Sequence, residues 1–416
     1  MSTSNTGFLT DFTVMSSFGA TPGGGVDRQA GTPEDHATRS WFSTWLAGHG
    51  LREAVDAAGN QFGLAELVPG APWVLLGSHL DSQPLAGRYD GAYGVLAAAH
   101  AVVRAAAAAE AGEFTPVFNL AVVNWFNEEG SRFTPSMMGS GVFTGKLPLD
   151  AALATQDQAG ATVAEALAAG SPASGSAPWL GSIARYAEIH IEQGKILEEQ
   201  GIQVGIVDRT WAAAKYLVTV DGDQSHTGST RMLDRRDALY GAALVIAAAR
   251  DLTEEFEPGQ LHSSVSQLQV LPNSPVTIAR QTVMNLDLRS PDESVLARAM
   301  DLLGKRIAEA EARSRTEVSL ALTHQWGLNP YSPAGVRLGR AAAEALGFSH
   351  MDIMTVAGHD STNLKDHVPT VMLFVPSVEG ISHNEAEFTR DEDAVRGVEL
   401  LTEVTRRLVR GDAVED

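Results

Sequence analysis

Residues 73–98 read WVLLGSHLDSQPLAGRYDGAYGVLAA. The apolar run 73–76 has the length of a buried strand. A polar segment carrying His79, Asp81 and Asp90 follows, and residues 92–109 form an Ala-rich stretch with helical character. The same unit recurs outward along the chain. The apolar run 117–126 ends in NEEG, with Glu128 and Glu129. The run 186–191 ends in HIEQG, with His190, and the run 370–375 leads through VPSVEGISH to His383. Continuous apolar strands alternating with helices predict an α/β domain with a mainly parallel sheet buried on both faces. In such sheets, sites form outside the carboxyl ends of the strands.

Several separate strand ends therefore offer an imidazole or a carboxylate to one region. Any one of them alone reads as a surface or capping residue. Together they are hard to read that way, because the chain has only 12 histidines and three of them fall in this pattern. Glu128 and Glu129 add a second signal. On extended backbone adjacent side chains point opposite ways, so one carboxylate can bind a metal while the other faces water or substrate. A carboxylate crowded by another has a raised pKa, which suits a general base that later returns a proton.

Beyond residue 211 the rhythm changes. Strands are expected at 215–220, 264–271, 282–289 and 316–323, and helices at 235–252 and 293–312. This β-α-β-β-α-β order predicts a second domain, 212–325, inserted into a catalytic domain made of 1–211 and 326–416. The α/β pattern resumes with a helix at 334–346 and closes with one at 392–410. A helix is also expected at 38–49, and the Gly- and Pro-rich stretches 22–35 and 170–178 read as loops.

Composition narrows the chemistry. The 416 residues carry a formal net charge of −21, which disfavours nucleic acid and anionic membrane as partners. There is no cysteine, so disulfides, thiolate nucleophiles, zinc fingers and iron–sulfur clusters are excluded and any metal must be held by His, Asp or Glu. The start MSTSNTGFLTDF does not read as a signal peptide, and the run 95–109 is broken by His100 and Arg104. A cytoplasmic protein without a membrane span is the expectation.

A series of motifs now carries a resemblance: GSHLDSQPLAGRYDGAYGVLAA (77–98), NEEGSRFTPSMMGSGVFTG (127–145), HIEQGKILEEQGIQVGIV (190–207), HTGSTRMLDRRDAL (226–239), LDLRSPD (286–292), AGHDS (357–361) and VPSVEGISHNEAEFT (375–389). In this order they resemble the amidohydrolase branch of the M20 metallopeptidase family, which holds N-carbamoyl-L-amino acid hydrolases, β-ureidopropionases and allantoate amidohydrolases. The similarity runs from about Gly23 to about Leu408. It implies two divalent ions per chain, Zn²⁺, Mn²⁺ or Co²⁺. His79, Asp90 and His190 would hold one, and Asp90, Glu129 and His383 the other, with Asp90 shared. Asp81 would support His79, and His359 and Asp360 would lie beneath the metals. Glu128 would be the general base. His226 would stabilise the oxyanion across a homodimer interface made by the inserted, ferredoxin-like lid. Asn273 and Arg289 would grip a substrate carboxylate, and Gln193 would lie near the substrate. The substrate implied is a small molecule with a linear C–N amide or ureido bond, first an N-carbamoyl-L-amino acid, alternatively an N-acyl amino acid, a dipeptide or allantoate.

The sequence departs from the family in one region. Where the family has a segment like GIAGQRRY, this chain has RTWAAAKY at 209–216, with Trp211 and Ala213. Arg231 stands where Pro is usual, and NSPVT replaces NVIPG. Exchanging a Gln for Ala and gaining Trp211 predicts a substrate region with fewer hydrogen bonds and more apolar contact.

Overall fold

The computed structural model describes residues 4–170 and 172–412. The chain divides into two compact units, one made of Met1–Asp208 with Tyr331–Asp416 and the other of Arg209–Pro330.

In the first unit the strands lie in the order Arg52–Val55, Gln61–Ala65, Asn119–Trp125, Trp73–His79, Ile183–Ile191, Thr370–Val375 and Val204–Thr210, and His350–Thr355 pairs with the last of these. The four central strands are parallel to one another, and the strands flanking them pair antiparallel. Their burial explains the unbroken apolar runs. Val74 and Leu76 enter the larger core with the helices Ala92–Glu110 and Asp391–Val409, while Leu75 enters a second core with Phe62, Trp125 and Tyr186. A strand covered on both faces has no polar side to alternate with.

The strand Trp73–His79 continues three residues beyond the expected 73–76, so His79 is a strand residue. The pair Glu128–Glu129 is the opposite case. The strand stops at Trp125, Asn127 takes a left-handed φ of 53°, and the two glutamates sit in a bend, not on extended backbone. The helix Ala92–Glu110 is long and apolar enough by composition to cross a bilayer, and most of it is buried inside the fold. The helix Asn5–Met15 and the strands Arg52–Val55, Gln61–Ala65, Val204–Thr210 and His350–Thr355 were not anticipated. The expected loop 22–35 gives way to a helix at Pro33, capped by Thr32. Within the expected loop 170–178, Gly170 ends a helix and Ser174 bridges to Val55, and residue 171 lies outside the described residues.

The second unit is a four-stranded antiparallel sheet in the order Glu317–Trp326, Ala212–Asp221, Gln281–Ser290 and His262–Leu271. The helices Ala238–Asp251 and Glu293–Ser314 share a core with it that includes Val218, Met284, Leu286, Val245 and Leu303. Asp237 and Asp292 cap the two helices by accepting two backbone N–H groups each. Along the chain the main elements follow the β-α-β-β-α-β order.

Candidate metal centre

The parallel pairing brings the chemistry to one end of the sheet. His79 closes its strand opposite Trp125, three residues before Glu128, and His190 lies opposite Phe374 on the strand that leads to His383. Asp90 precedes the helix Ala92–Glu110, with Gly91 between them at φ 62°. A Cβ at Gly91 would lie 2.2 Å from His79 Nε2, so only glycine leaves the imidazole its place.

Two groups of ligand-type side chains result: His79, Asp90 and His190, and Asp90, Glu129 and His383, each with its ligand atoms within 4.8 Å of one another. Asp90 belongs to both. Its Oδ1 lies 3.0 Å from His190 Nε2 and 3.6 Å from His79 Nε2. Its Oδ2 lies 3.2 Å from His383 Nε2, which is 3.6 Å from Glu129 Oε2. Glu128 Oε2 stands 3.5 Å from His79 Nε2.

The donor chemistry suits divalent cations. His79 Nδ1 and His190 Nδ1 point at the backbone carbonyls of Asp81 and Ile191, at 3.0 and 2.9 Å. Those bonds hold a proton on Nδ1 and turn Nε2, the nitrogen that would bind an ion once deprotonated, toward Asp90. Gly91 N–H takes up the His190 lone pair at 3.0 Å. Buried Glu129 Oε1 has no hydrogen-bond partner, an open acceptor on the carboxylate that faces the His383 imidazole. Asp81, Asp90, Glu128, Asp360 and Glu387 are all buried carboxylates, and negative charge gathered in one low-dielectric place must be offset by protons or by cations.

The titration behaviour records that crowding. Burial, then the charges of Asp360, Glu129, Asp81 and Asp90, push Glu128 well above the usual carboxylate range. Burial and Asp90 push Glu129 up to about 8. Asp90 goes the other way. Burial opposes its charge, yet the bonds with His190 and His383 hold it well below its ordinary value. Burial lowers His79 to about 4.

The surrounding residues are placed as follows. The closest Asp81 atom to His79 Nδ1 is its carbonyl oxygen, and the carboxylate is 3.6 Å away. That carboxylate instead accepts the backbone N–H groups of Glu128 and Glu129, at 3.1 and 3.2 Å, and so holds the bend that carries them. The His359 ring lies 4.5 Å from that of His190. Asp360 accepts from Ser140 Oγ and is fully buried. Gln193 donates its amide to Asp90 Oδ2 at 2.8 Å and to Ser382 Oγ at 3.0 Å, which leaves Oε1 buried with no hydrogen-bond partner. Three neighbours went unnoticed in the sequence: Gln83, which donates to Glu129 Oε2 at 2.9 Å, Ser382 and Glu387. Ser382 and Glu387 stand inside the quoted stretch around His383, but nothing sets one glutamate apart in a chain with 51 acidic residues.

The other four candidates belong to the second unit. His226 is exposed, and its Nδ1 accepts the N–H groups of Gly228 and Ser229 at 3.0 and 3.2 Å. In the neutral ring this puts the proton on Nε2, an outward donor. Arg289 makes a close pair with Asp287 in its own strand, Nη2 to Oδ2 at 2.7 Å. Asn273 is exposed, with a left-handed φ of 52°. The Trp211 ring packs 4.8 Å from that of His262, and its carbonyl accepts Trp326 Nε1 at 3.1 Å. Ala213 is buried at 1% exposure.

Residues 75–407 match the model of peptidase family M20/M25/M40. The chain is 55% identical over 408 residues to a Mycolicibacterium smegmatis protein described no further than as a hydrolase, covering 97% of this chain and 93% of that one. It is 36% identical to the N-carbamoyl-L-amino-acid amidohydrolase of Rhizobium meliloti, covering 93% and 92%, and 30% identical to the allantoate amidohydrolase of Bacillus subtilis, covering 96% and 97%. Among solved structures, an amidase of the hydantoinase/carbamoylase family from Burkholderia vietnamiensis superposes with a TM-score of 0.90 at 35% identity, covering 99% of this chain and 98% of that one. The chain belongs to peptidase family M20/M25/M40, as a hydrolase of its carbamoylase and amidohydrolase type.

Proposed function

We propose that the protein is a dinuclear metal-dependent amidohydrolase that cleaves the linear C–N bond of a small carboxylate-bearing substrate, first an N-carbamoyl-L-amino acid. The observation that carries this reading is the position of Asp90, within ligand distance of both the His79–His190 and the Glu129–His383 groups. Divalent ions held there, Zn²⁺, Mn²⁺ or Co²⁺, would polarise the substrate carbonyl and acidify water.

The chain's own residues supply the proton transfers. Glu128 is buried and crowded by carboxylates, so its carboxylate takes a proton readily. It removes one proton from the attacking water and returns it to the leaving nitrogen. The new C–O bond forms at the carbonyl carbon and the C–N bond breaks. With a ureido substrate the products are the amino acid and carbamic acid, which falls to CO₂ and ammonia. His226 offers Nε2–H to the developing oxyanion. Arg289 and Asn273 take the substrate carboxylate, a planar fork suited to it in the case of Arg. Gln193 meets the substrate through Oε1. The acidic net charge does not oppose this, since charges beyond about 8 Å are screened at physiological salt.

The inserted unit acts in this reading as a ferredoxin-like lid that forms a homodimer. Support comes from Leu217, Leu268, Leu271 and Leu322, which leave 39–47% of their surface exposed on its sheet. A cytoplasmic location is part of the same reading and rests on the cysteine-free composition.

A second reading keeps the chemistry and changes the substrate to an N-acyl amino acid or dipeptide. Trp211 packed on His262, with Ala213 buried, gives that region an apolar character. Allantoate is the further alternative. A product assay on metal-reconstituted protein separates them, with free ammonia and free amino acid measured independently. Ammonia and amino acid released together from ureido substrates is the expected result. Amino acid without ammonia, from acyl substrates, would overturn the substrate class and leave the metal site standing.

A further inference from the structure

We propose that Glu387 is a positioning residue that locks the shared carboxylate of Asp90 to the turn carrying His383. This rests on the metal-binding reading of the site and adds a residue to it.

The argument begins from what Glu387 touches. Its Oε1 accepts the backbone N–H groups of Tyr89 and Asp90, at 3.0 and 3.1 Å, across 297 residues of sequence in the second case. Its Oε2 accepts from Ser382 Oγ at 2.9 Å. Ser382 Oγ is in turn 3.2 Å from Asp90 Oδ2, the oxygen that also receives Gln193 Nε2. Glu387 thus holds Asp90 directly by its backbone, and Ser382 Oγ stands between the two carboxylates with one proton that serves either of them. Ser382 immediately precedes His383. The turn from Ser382 to Glu387 closes on itself by Glu387 N–H to the Asn384 carbonyl at 2.9 Å and Ala386 N–H to Asn384 Oδ1 at 2.9 Å. His383 sits within it at a φ of 52°.

The fold makes room for this contact at a cost. Glu387 is 4% exposed, and a Cβ on Gly87 would lie 2.0 Å from its Oε1. A buried carboxylate whose bonds come from two amides and a hydroxyl would destabilise the fold if it only filled space. Tying two ligand segments together explains why it is there. Because the lock holds Asp90 and His383, its loss should fall mainly on the Asp90–Glu129–His383 group, while His79 and His190 keep their own strand-end anchors.

Equilibrium titration of Mn²⁺ into ion-free protein, read as ions per chain and a Kd for each, tests this without activity. Wild type, Glu387→Ala, Glu387→Gln and Ser382→Ala are compared, each checked for cooperative unfolding. The expected result is two ions in wild type and, in Glu387→Ala, one Kd about 10–100-fold weaker with the other weakened less, since Asp90 is shared while His79 and His190 keep their anchors. Glu387→Gln keeps an Oε1 acceptor for the two N–H groups and is expected to recover part of that loss. Ser382→Ala, which leaves the backbone bonds intact, is expected to weaken the same ion more than the other, and it decides the matter if Glu387→Ala does not fold. Two ions at wild-type Kd in both Ser382→Ala and Glu387→Gln would overturn the proposal, as would equal weakening of both ions. A wild-type protein that binds no Mn²⁺ would overturn the metal reading itself, and the proposal with it.

Discussion

At Gly91 the chain has no space for a side chain. A methyl group there meets the His79 ring, and the φ of 62° disfavours any L-residue besides. Gly91→Ala is therefore expected to displace the imidazole, cost about 1–3 kcal/mol of stability and lower metal content. Denaturant unfolding and metal analysis on the same sample check it. Glu128 makes a different prediction, because it binds no ion in this account. Glu128→Gln preserves shape and removes the proton acceptor, so kcat should fall about 10²–10⁴-fold with two ions still bound. An unchanged kcat would remove Glu128 as the base. These two residues also differ in how well the sequence announced them. Glu128 stood out as half of an acidic pair after an apolar strand. The need for Gly91 became visible only when His79 was placed against it, a contact made in space and not along the chain. Gln193 shows the same limit. The family resemblance alone put it near the substrate, and nothing along the chain announced that its amide is bonded to Asp90.

The element that most shapes the first unit is the Ala-rich helix Ala92–Glu110, whose small side chains let it lie against the parallel strands and the helix Asp391–Val409. Its buried His100 ties it to the N-terminal helix Asn5–Met15. Asp11 Oδ2 is 3.0 Å from His100 Nε2 and accepts Trp45 Nε1 at 2.8 Å. Burial lowers the His100 pKa, against the pull of Asp11. Asp11 is itself held below its ordinary value, by His100 and Trp45 against burial. The folded pKa of His100 lies below the unfolded 6.5, so below that pH the unfolded chain binds a proton the folded chain does not. Stability is then lost as pH falls from 6.5 toward the folded pKa. Thermal unfolding between pH 7 and 5 should show a declining Tm, and His100→Gln should flatten the decline. The long periodic elements of this unit were legible. The short strands Arg52–Val55 and Gln61–Ala65 were not, because four or five residues around a turn carry too little periodicity to separate strand from loop.

On the scale of the whole molecule, two units with separate cores divide the chain. The change from alternating strand and helix to the β-α-β-β-α-β order marked the second unit in the sequence. Its compact limits, Arg209–Pro330, lie a few residues outside the expected 212–325, because the strand Val204–Thr210 runs on through that junction. That these His, Asp and Glu side chains gather at one end of the sheet was legible because strand ends in a parallel sheet converge. The hydrogen-bonding shell of Gln83, Ser382 and Glu387 was not, because common polar residues in loops carry no period. What joins these scales is Asp90, a single side chain common to two ligand groups drawn from four stretches of chain. The most direct measurement is the number of Mn²⁺ ions retained per chain by wild type and by Asp90→Ala after dialysis against ion-free buffer. The account predicts two for wild type and none held tightly by the variant. Two ions retained by Asp90→Ala would contradict it.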